Sequence, residues 1–159
     1  MSGLIIIVIL ILVIAFFINN KSGYNNNLDA QDLKIDADDY NSWCRRGIEL
    51  EESGKYREAI AAYNKALQIQ PNNYQIWCAK GKALANLEEI EEAIYTFEKV
   101  LELKPDFYDV WYLQGTLLGK LGRLHDAIEC FDKVLEANPS NQDALGCKAY
   151  ALKSLNRRR

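Results

Sequence analysis

Three regimes of hydrophobic patterning divide the chain. Leu4 to Ile18 reads LIIIVILILVIAFFI, fifteen apolar residues with no polar face. Residues 19 to 39, NNKSGYNNNLDAQDLKIDADD, show no sustained period. From Tyr40 onward apolar residues return at helical spacing, and they come in pairs of stripes. Trp43, Gly47 and Leu50 stand at i, i+4 and i+7, and Ala59, Tyr63, Ala66 and Leu67 form a second stripe. Ser53-Gly54-Lys55 separates the two, and a glycine there can take the left-handed backbone that ends a helix. Pro71 then stops the second helix, and Asn72-Asn73 can cap the next, as Asp106 and Ser140-Asn141 can further on. The predicted unit is a helix-turn-helix hairpin.

The hairpin repeats every 34 residues. Frames starting at Tyr40, Tyr74 and Tyr108 place all three tryptophans in register, at Trp43, Trp77 and Trp111, and all three prolines, at Pro71, Pro105 and Pro139. Gly47, Gly81 and Gly115 follow suit, as do Ala59, Ala93 and Ala127, and a second aromatic at Tyr63, Phe97 and Phe131. The small residues are expected to let the two helices of a hairpin approach closely, while each indole fills the gap between units. A fully buried tryptophan removes about 150 to 250 Å² from water, roughly 4 to 6 kcal/mol of transfer free energy as an upper bound. One hairpin cannot bury its own stripe, so about three must stack.

A 34-residue hairpin with W-x-x-x-G, then A-x-x-x-[YF]-x-x-[AV]-L and a closing proline, resembles the tetratricopeptide repeat family. The resemblance implies an all-α fold, a right-handed superhelix (α-solenoid) of stacked hairpins. It covers residues 40–73, 74–107 and 108–141, and residues 142–159 resemble the first helix of a further unit that caps the array, with Leu145 and Ala149 in place of Trp and Gly. Two departures stand out. Arg46, Lys80 and Gln114 occupy a position where the family usually has Leu, and Glu88 stands where its turn glycine is expected. A non-glycine residue in a left-handed turn costs on the order of 1 kcal/mol.

The resemblance also implies protein binding in a concave groove lined mostly by the first helix of each repeat. That rule selects Asn41, Cys44 and Ile48, then Gln75, Cys78 and Lys82, then Asp109, Tyr112 and Thr116. One subgroup of the family grips the carboxylate tails of heat-shock chaperones with Lys, Asn and Arg side chains. At the matching positions this chain has Cys44, Ile48, Ala79, Asp109 and Leu113, which donate no charge-assisted hydrogen bond to a carboxylate, so chaperone tails are not the expected ligand. The expected occupant is an apolar or helical segment of a protein partner against Cys44, Ile48, Cys78 and Tyr112, with Lys82 meeting an acidic group.

Residues 1–20 read as a hydrophobic anchor helix and residues 21–39 as an acidic flexible linker. Fifteen apolar residues span about 22 Å as a helix, short of a bilayer core of roughly 30 Å, and the flanking polar residues make up much of the difference. No Lys or Arg precedes Leu4 and no small-residue cleavage pattern follows Ala15, which favours an uncleaved anchor over a secretory signal. Lys21 and Lys34 on the C-terminal side put the repeats in the cytoplasm by the positive-inside rule.

Charge and composition remove other functions. The net charge of -3 resides entirely in residues 19–39, and bases and acids cancel over the rest, so no basic face is available for nucleic acid. Four cysteines without a C-x-x-C pair and the single His125 make a poor metal-ligand set, and the thiols read as reduced, small apolar side chains. Glu88, Glu89, Glu91 and Glu92 read as a solvated helix start and Arg157, Arg158 and Arg159 as a helix end, both favoured by the helix dipole. There is no nucleophile elbow, P-loop or dinucleotide fingerprint, so neither catalysis nor a cofactor is expected. The sequence thus predicts a non-catalytic, membrane-tethered interaction scaffold. The alternatives are a soluble or exported adaptor that has lost its N-terminal segment, and a regulatory subunit of a separate enzyme.

Overall fold

The computed structural model describes residues 39–157, which lie in the second of two units, Met1–Ile35 and Asp36–Arg159. The expected anchor helix at 1–20 and all but the last residue of the linker at 21–39 fall outside the described residues. Seven helices make up the described part: α1 (Tyr40–Glu52), α2 (Tyr56–Ile69), α3 (Tyr74–Asn86), α4 (Ile90–Leu103), α5 (Tyr108–Lys120), α6 (Leu124–Ala137) and α7 (Gln142–Asn156). Among the described residues there is no strand, and no helix is long and apolar enough to cross a membrane. Each helix packs on its neighbours in sequence, and α5 also touches α7, the nearest-neighbour pattern of a solenoid.

Within each hairpin the turn is built the same way. Lys55 N–H donates to Leu50 C=O and Gly54 N–H to Glu51 C=O, the paired bonds that satisfy the last carbonyls of α1. The same two bonds recur at Glu89 and Glu88, and again at Arg123 and Gly122. This closure needs a left-handed residue, and φ is 71° at Gly54, 73° at Gly122 and 60° at Glu88. The second hairpin therefore keeps the shared turn and places a glutamate in the strained conformation.

Between hairpins, caps do the positioning. Asn73 accepts from Ile76 N–H through its side-chain oxygen and donates from Nδ2 to the Tyr40 hydroxyl at 2.6 Å, so one side chain both starts α3 and ties it to α1. Asn141 caps α7 by accepting from Ala144 N–H. At α5 the expected cap fails: the position falls to Phe107, which has no capping side chain, and Asp106 lies one residue too early. Asp39, assigned to the linker, is instead the cap of α1, accepting from the N–H groups of Asn41 and Ser42. Its carboxyl is held below the usual range first by the Ser42 hydroxyl and then by the Asn41 N–H.

The core corrects one expectation from the sequence. Trp43, Trp77 and Trp111 are only half-buried, and the largest fully buried side chains are Tyr63, Phe97, Val100 and Val110. Indole nitrogens of Trp77 and Trp111 donate to the carbonyls of Pro71 and Pro105 at 2.7 and 2.9 Å, at the junction where one repeat ends. A donor that must reach a carbonyl at the repeat edge cannot also sit at the centre. The second aromatic takes that place, and Tyr63 donates its hydroxyl to Glu51 at 2.6 Å. Ala59, Ala93 and Ala127 are fully buried at 0% exposure, as close packing of the hairpins requires.

Candidate partner-binding groove

The first helices of successive repeats carry a run of three adjoining clefts. One, of about 500 Å³, is lined by Lys82, Asp109, Tyr112 and Leu113 with Asn138, Asn141 and Asp143. Lys82 and Leu113 also line a second, of about 350 Å³, with Glu51, Asn86, Thr116 and Lys120. Thr116 and Lys120 then pass into a third, of about 520 Å³, whose walls are Gly119, Leu124, Phe131, Gly146, Cys147 and Tyr150. The trough therefore changes character along its length: the two clefts that Lys82 lines are mixed in charge, and the third, among α5, α6 and α7, is largely apolar.

Of the nine residues selected from the sequence, Lys82, Asp109, Tyr112 and Thr116 meet in these clefts. Asn41, Cys44, Ile48 and Gln75 do not line them. Asn41 and Gln75 are exposed, Cys44 is half-buried, and Ile48 presents 48% of its surface to solvent on α1. Cys78 is 5% exposed and belongs to the core, so it offers no surface to a partner. Burial pushes its thiol up, against the opposing pull of the Lys82 ammonium. The register is shared with Cys44, but Cys78 lies in an interior repeat with neighbours on both sides.

Tyr112 is held from two directions. Its ring lies 6.0 Å from that of Phe131, tilted by 54°, and its hydroxyl sits 3.8 Å from Cys147 Sγ. That contact raises the phenol above its ordinary range, with burial adding to it. Lys82 and Lys120 are exposed and form no ion pair among the described residues, which leaves both ammonium groups free for a carboxylate.

The sequence reading missed Asp143, Gly146 and Tyr150, although the signal was present. Carried one frame further, the rule that chose Asp109, Tyr112 and Thr116 lands on these three, and all of them line the clefts. Among the described residues no group of three or more His, Cys, Asp or Glu could hold a metal ion, and His125 is exposed at the start of α6.

Models of the tetratricopeptide repeat match residues 40–73, 74–107 and 108–141. The chain belongs to the tetratricopeptide repeat family. Solved tetratricopeptide repeat structures agree at the level of fold. The first such domain of Spaghetti (RPAP3), bound to the HSP90 peptide SRMEEVD, aligns with a TM-score of 0.69 at 22% identity, covering 77% of this chain and 97% of that one. The Arabidopsis OM64 domain aligns at 0.67 and 18% identity, covering 74% and 98%. A MamA RS-1 double mutant aligns at 0.72 and 23% identity, covering 77% and 67%. Comparison with curated protein sequences finds no match.

Proposed function

We propose that the protein is a non-catalytic scaffold whose repeat array holds a segment of a partner protein in the trough along α3, α5 and α7. The observation that carries this reading is the continuity of the three clefts through shared side chains, Lys82 and Leu113 at one junction and Thr116 and Lys120 at the next. An extended or helical segment threading them meets apolar walls at Leu113, Phe131 and Tyr150 and the ammonium groups of Lys82 and Lys120, which form no ion pair among the described residues, so its chemistry is apolar with an acidic residue toward one of the two.

A chaperone carboxylate tail is a poor fit. The HSP90 peptide in the Spaghetti complex is a ligand of that protein. Here the positions that grip such tails hold Cys44, Ile48, Ala79, Asp109 and Leu113, and Asp109 would repel a carboxylate.

The apolar run from Leu4 to Ile18 supports a membrane tether, and Lys21 and Lys34 after it favour the cytoplasmic side for the repeats. Alkaline carbonate extraction tests the tether: the intact chain should stay with the membrane pellet, and its release would remove the anchor. Affinity capture with cross-linking tests the trough. Lys82→Ala and Tyr112→Ala should each lower recovery of the captured partner, and undiminished recovery with both would move the binding surface elsewhere.

A further inference from the structure

In each repeat the second helix covers one stripe of the first. Leu50, Leu84 and Leu118 hold equivalent places in that stripe and are 4%, 6% and 3% exposed. The fourth member of the series is Leu152 on α7, and it is 44% exposed. Leu145, standing where Trp111 stands on α5, is 40% exposed, and Ala149 between them is exposed as well. Spaced i, i+4 and i+7, the three form one apolar line along the helix. Among the described residues no helix lies over it.

Ala149 restricts what can cover this line. In the three repeats the same place is glycine because an aromatic ring descends on it. A Cβ there would lie 2.3 Å from Tyr63 at Gly47, 2.5 Å from Phe97 at Gly81 and 2.8 Å from Phe131 at Gly115. Ala149 carries that Cβ, so a covering helix with an aromatic at this point cannot seat to the same depth. The occupant must be aliphatic and small where the helices cross.

The α7 stripe meets that demand itself, and read backwards it differs only by a one-residue shift of its central alanine. Turned end for end about Ala149, alanine meets alanine and Leu145 of one copy comes within one residue, about 1.5 Å along the axis, of Leu152 of the other. The flanks are compatible. Lys153 of one copy comes beside Gln142 of the other, whose side-chain carbonyl can accept from it, and the charge of Lys148 is already met by Asp132 in its own copy. Antiparallel helices also oppose their dipoles.

We propose that two copies of this chain associate through α7, packed antiparallel about Ala149. A helix of this length is about 22 Å long, and one such pair buries less than the roughly 1,200 Å² of a standard interface, so the dimer is weak and reversible. Ala149→Cys tests it in the full chain, on a Cys44→Ala/Cys147→Ala background, by oxidation in a detergent-free lysate and non-reducing electrophoresis. A disulfide-linked dimer should form at least tenfold faster than from Asn64→Cys, an exposed site on α2. Adding Leu145→Asp and Leu152→Asp should abolish that excess while circular dichroism stays unchanged, since both leucines are already solvent-facing in the single chain. Equal rates at the two cysteines would overturn the proposal, as would cross-linking that survives the aspartates. Resistance of the thiol introduced on α7 to both oxidation and a maleimide would also overturn it, because the stripe would then be covered by another segment such as residues 4–18.

Discussion

A Cβ added to Gly81 would lie 2.5 Å from Cε1 of Phe97, a ring that is 1% exposed and has nowhere to retreat. Replacing glycine by alanine inside a helix ordinarily gains about 1 kcal/mol. Overpacking a filled core costs typically about 1 to 3 kcal/mol, and this clash falls on a buried ring, so the cost wins. Gly81→Ala should therefore lower the denaturant midpoint, and Phe97→Leu in the same chain should recover part of the loss. A double-mutant cycle should give a coupling of about 1 kcal/mol or more between the two sites.

Gly119 and Gly146 give the opposite sign. An added Cβ at either meets nothing within 4 Å, and neither has the positive φ that would strain it. Alanine there should raise stability by about 0.5 to 1 kcal/mol in the same denaturation assay. Three glycines in register with a destabilising outcome and two out of register with a stabilising one separate the steric role of the residue from its helix propensity.

Which glycines were fixed by packing was legible in the 34-residue period, and so were the hairpins and their turns. Depth was not. Recurrence of Trp43, Trp77 and Trp111 marks a shared role at the repeat junction, yet the indole N–H needs a carbonyl there, and the ring that fills each core is the less conspicuous Tyr63, Phe97 or Phe131. Register equally hides the contrast between half-buried Cys44 and buried Cys78, because the period repeats residue types and not the number of neighbours on either side. Of the trough, Lys82, Asp109, Tyr112 and Thr116 were readable from the first helices, Asp143, Gly146 and Tyr150 lay one frame beyond the last full repeat, and second-helix walls such as Leu124 and Phe131 fall outside the rule.

Glu88 is the one described non-glycine residue with a positive φ, at 60°. The left-handed conformation costs an ordinary L-residue about 1 to 2 kcal/mol, while its side chain is exposed and the turn is closed by backbone bonds alone. Glu88→Gly should stabilise the fold by about 1 kcal/mol. The increase should appear as a higher melting temperature with an unchanged far-ultraviolet spectrum, and a fall would show that the carboxylate does something the backbone geometry does not reveal.

Gln114 is 6% exposed, and its side-chain oxygen has no hydrogen-bond partner among the described residues. A buried polar atom left unpaired costs about 1 to 3 kcal/mol, and leucine replaces the amide by apolar carbons that need no partner. The position is also one where the family resemblance expects leucine. Gln114→Leu should raise the denaturant midpoint, by the equivalent of about 1 to 3 kcal/mol. Gln114→Glu should lower it further than any neutral change, since it buries a charge at the same spot.

Cys130 links the core to alkaline pH. Burial pushes its thiol up to about 12 from an ordinary 9.0, and the nearby Asp126 and Glu129 carboxylates push the same way. Below pH 9 the thiol is protonated in both the folded and unfolded chains and does not alter their balance. Above it the unfolded thiol ionises first, which lowers the free energy of the unfolded state, and stability falls until the folded thiol ionises as well, near pH 12. Cys78, raised by burial in the same way, adds to this limb. Cys130→Ala should make the decline of stability between pH 9 and 11 shallower while leaving its value near pH 7 changed only by the small loss in packing. A parallel alkylation series at pH 8 should label half-buried Cys44 and Cys147 well before Cys78 and Cys130, because only the thiolate reacts and the buried pair carries almost none of it. Equal labelling of all four thiols would mean that the hairpins open on the timescale of the reaction.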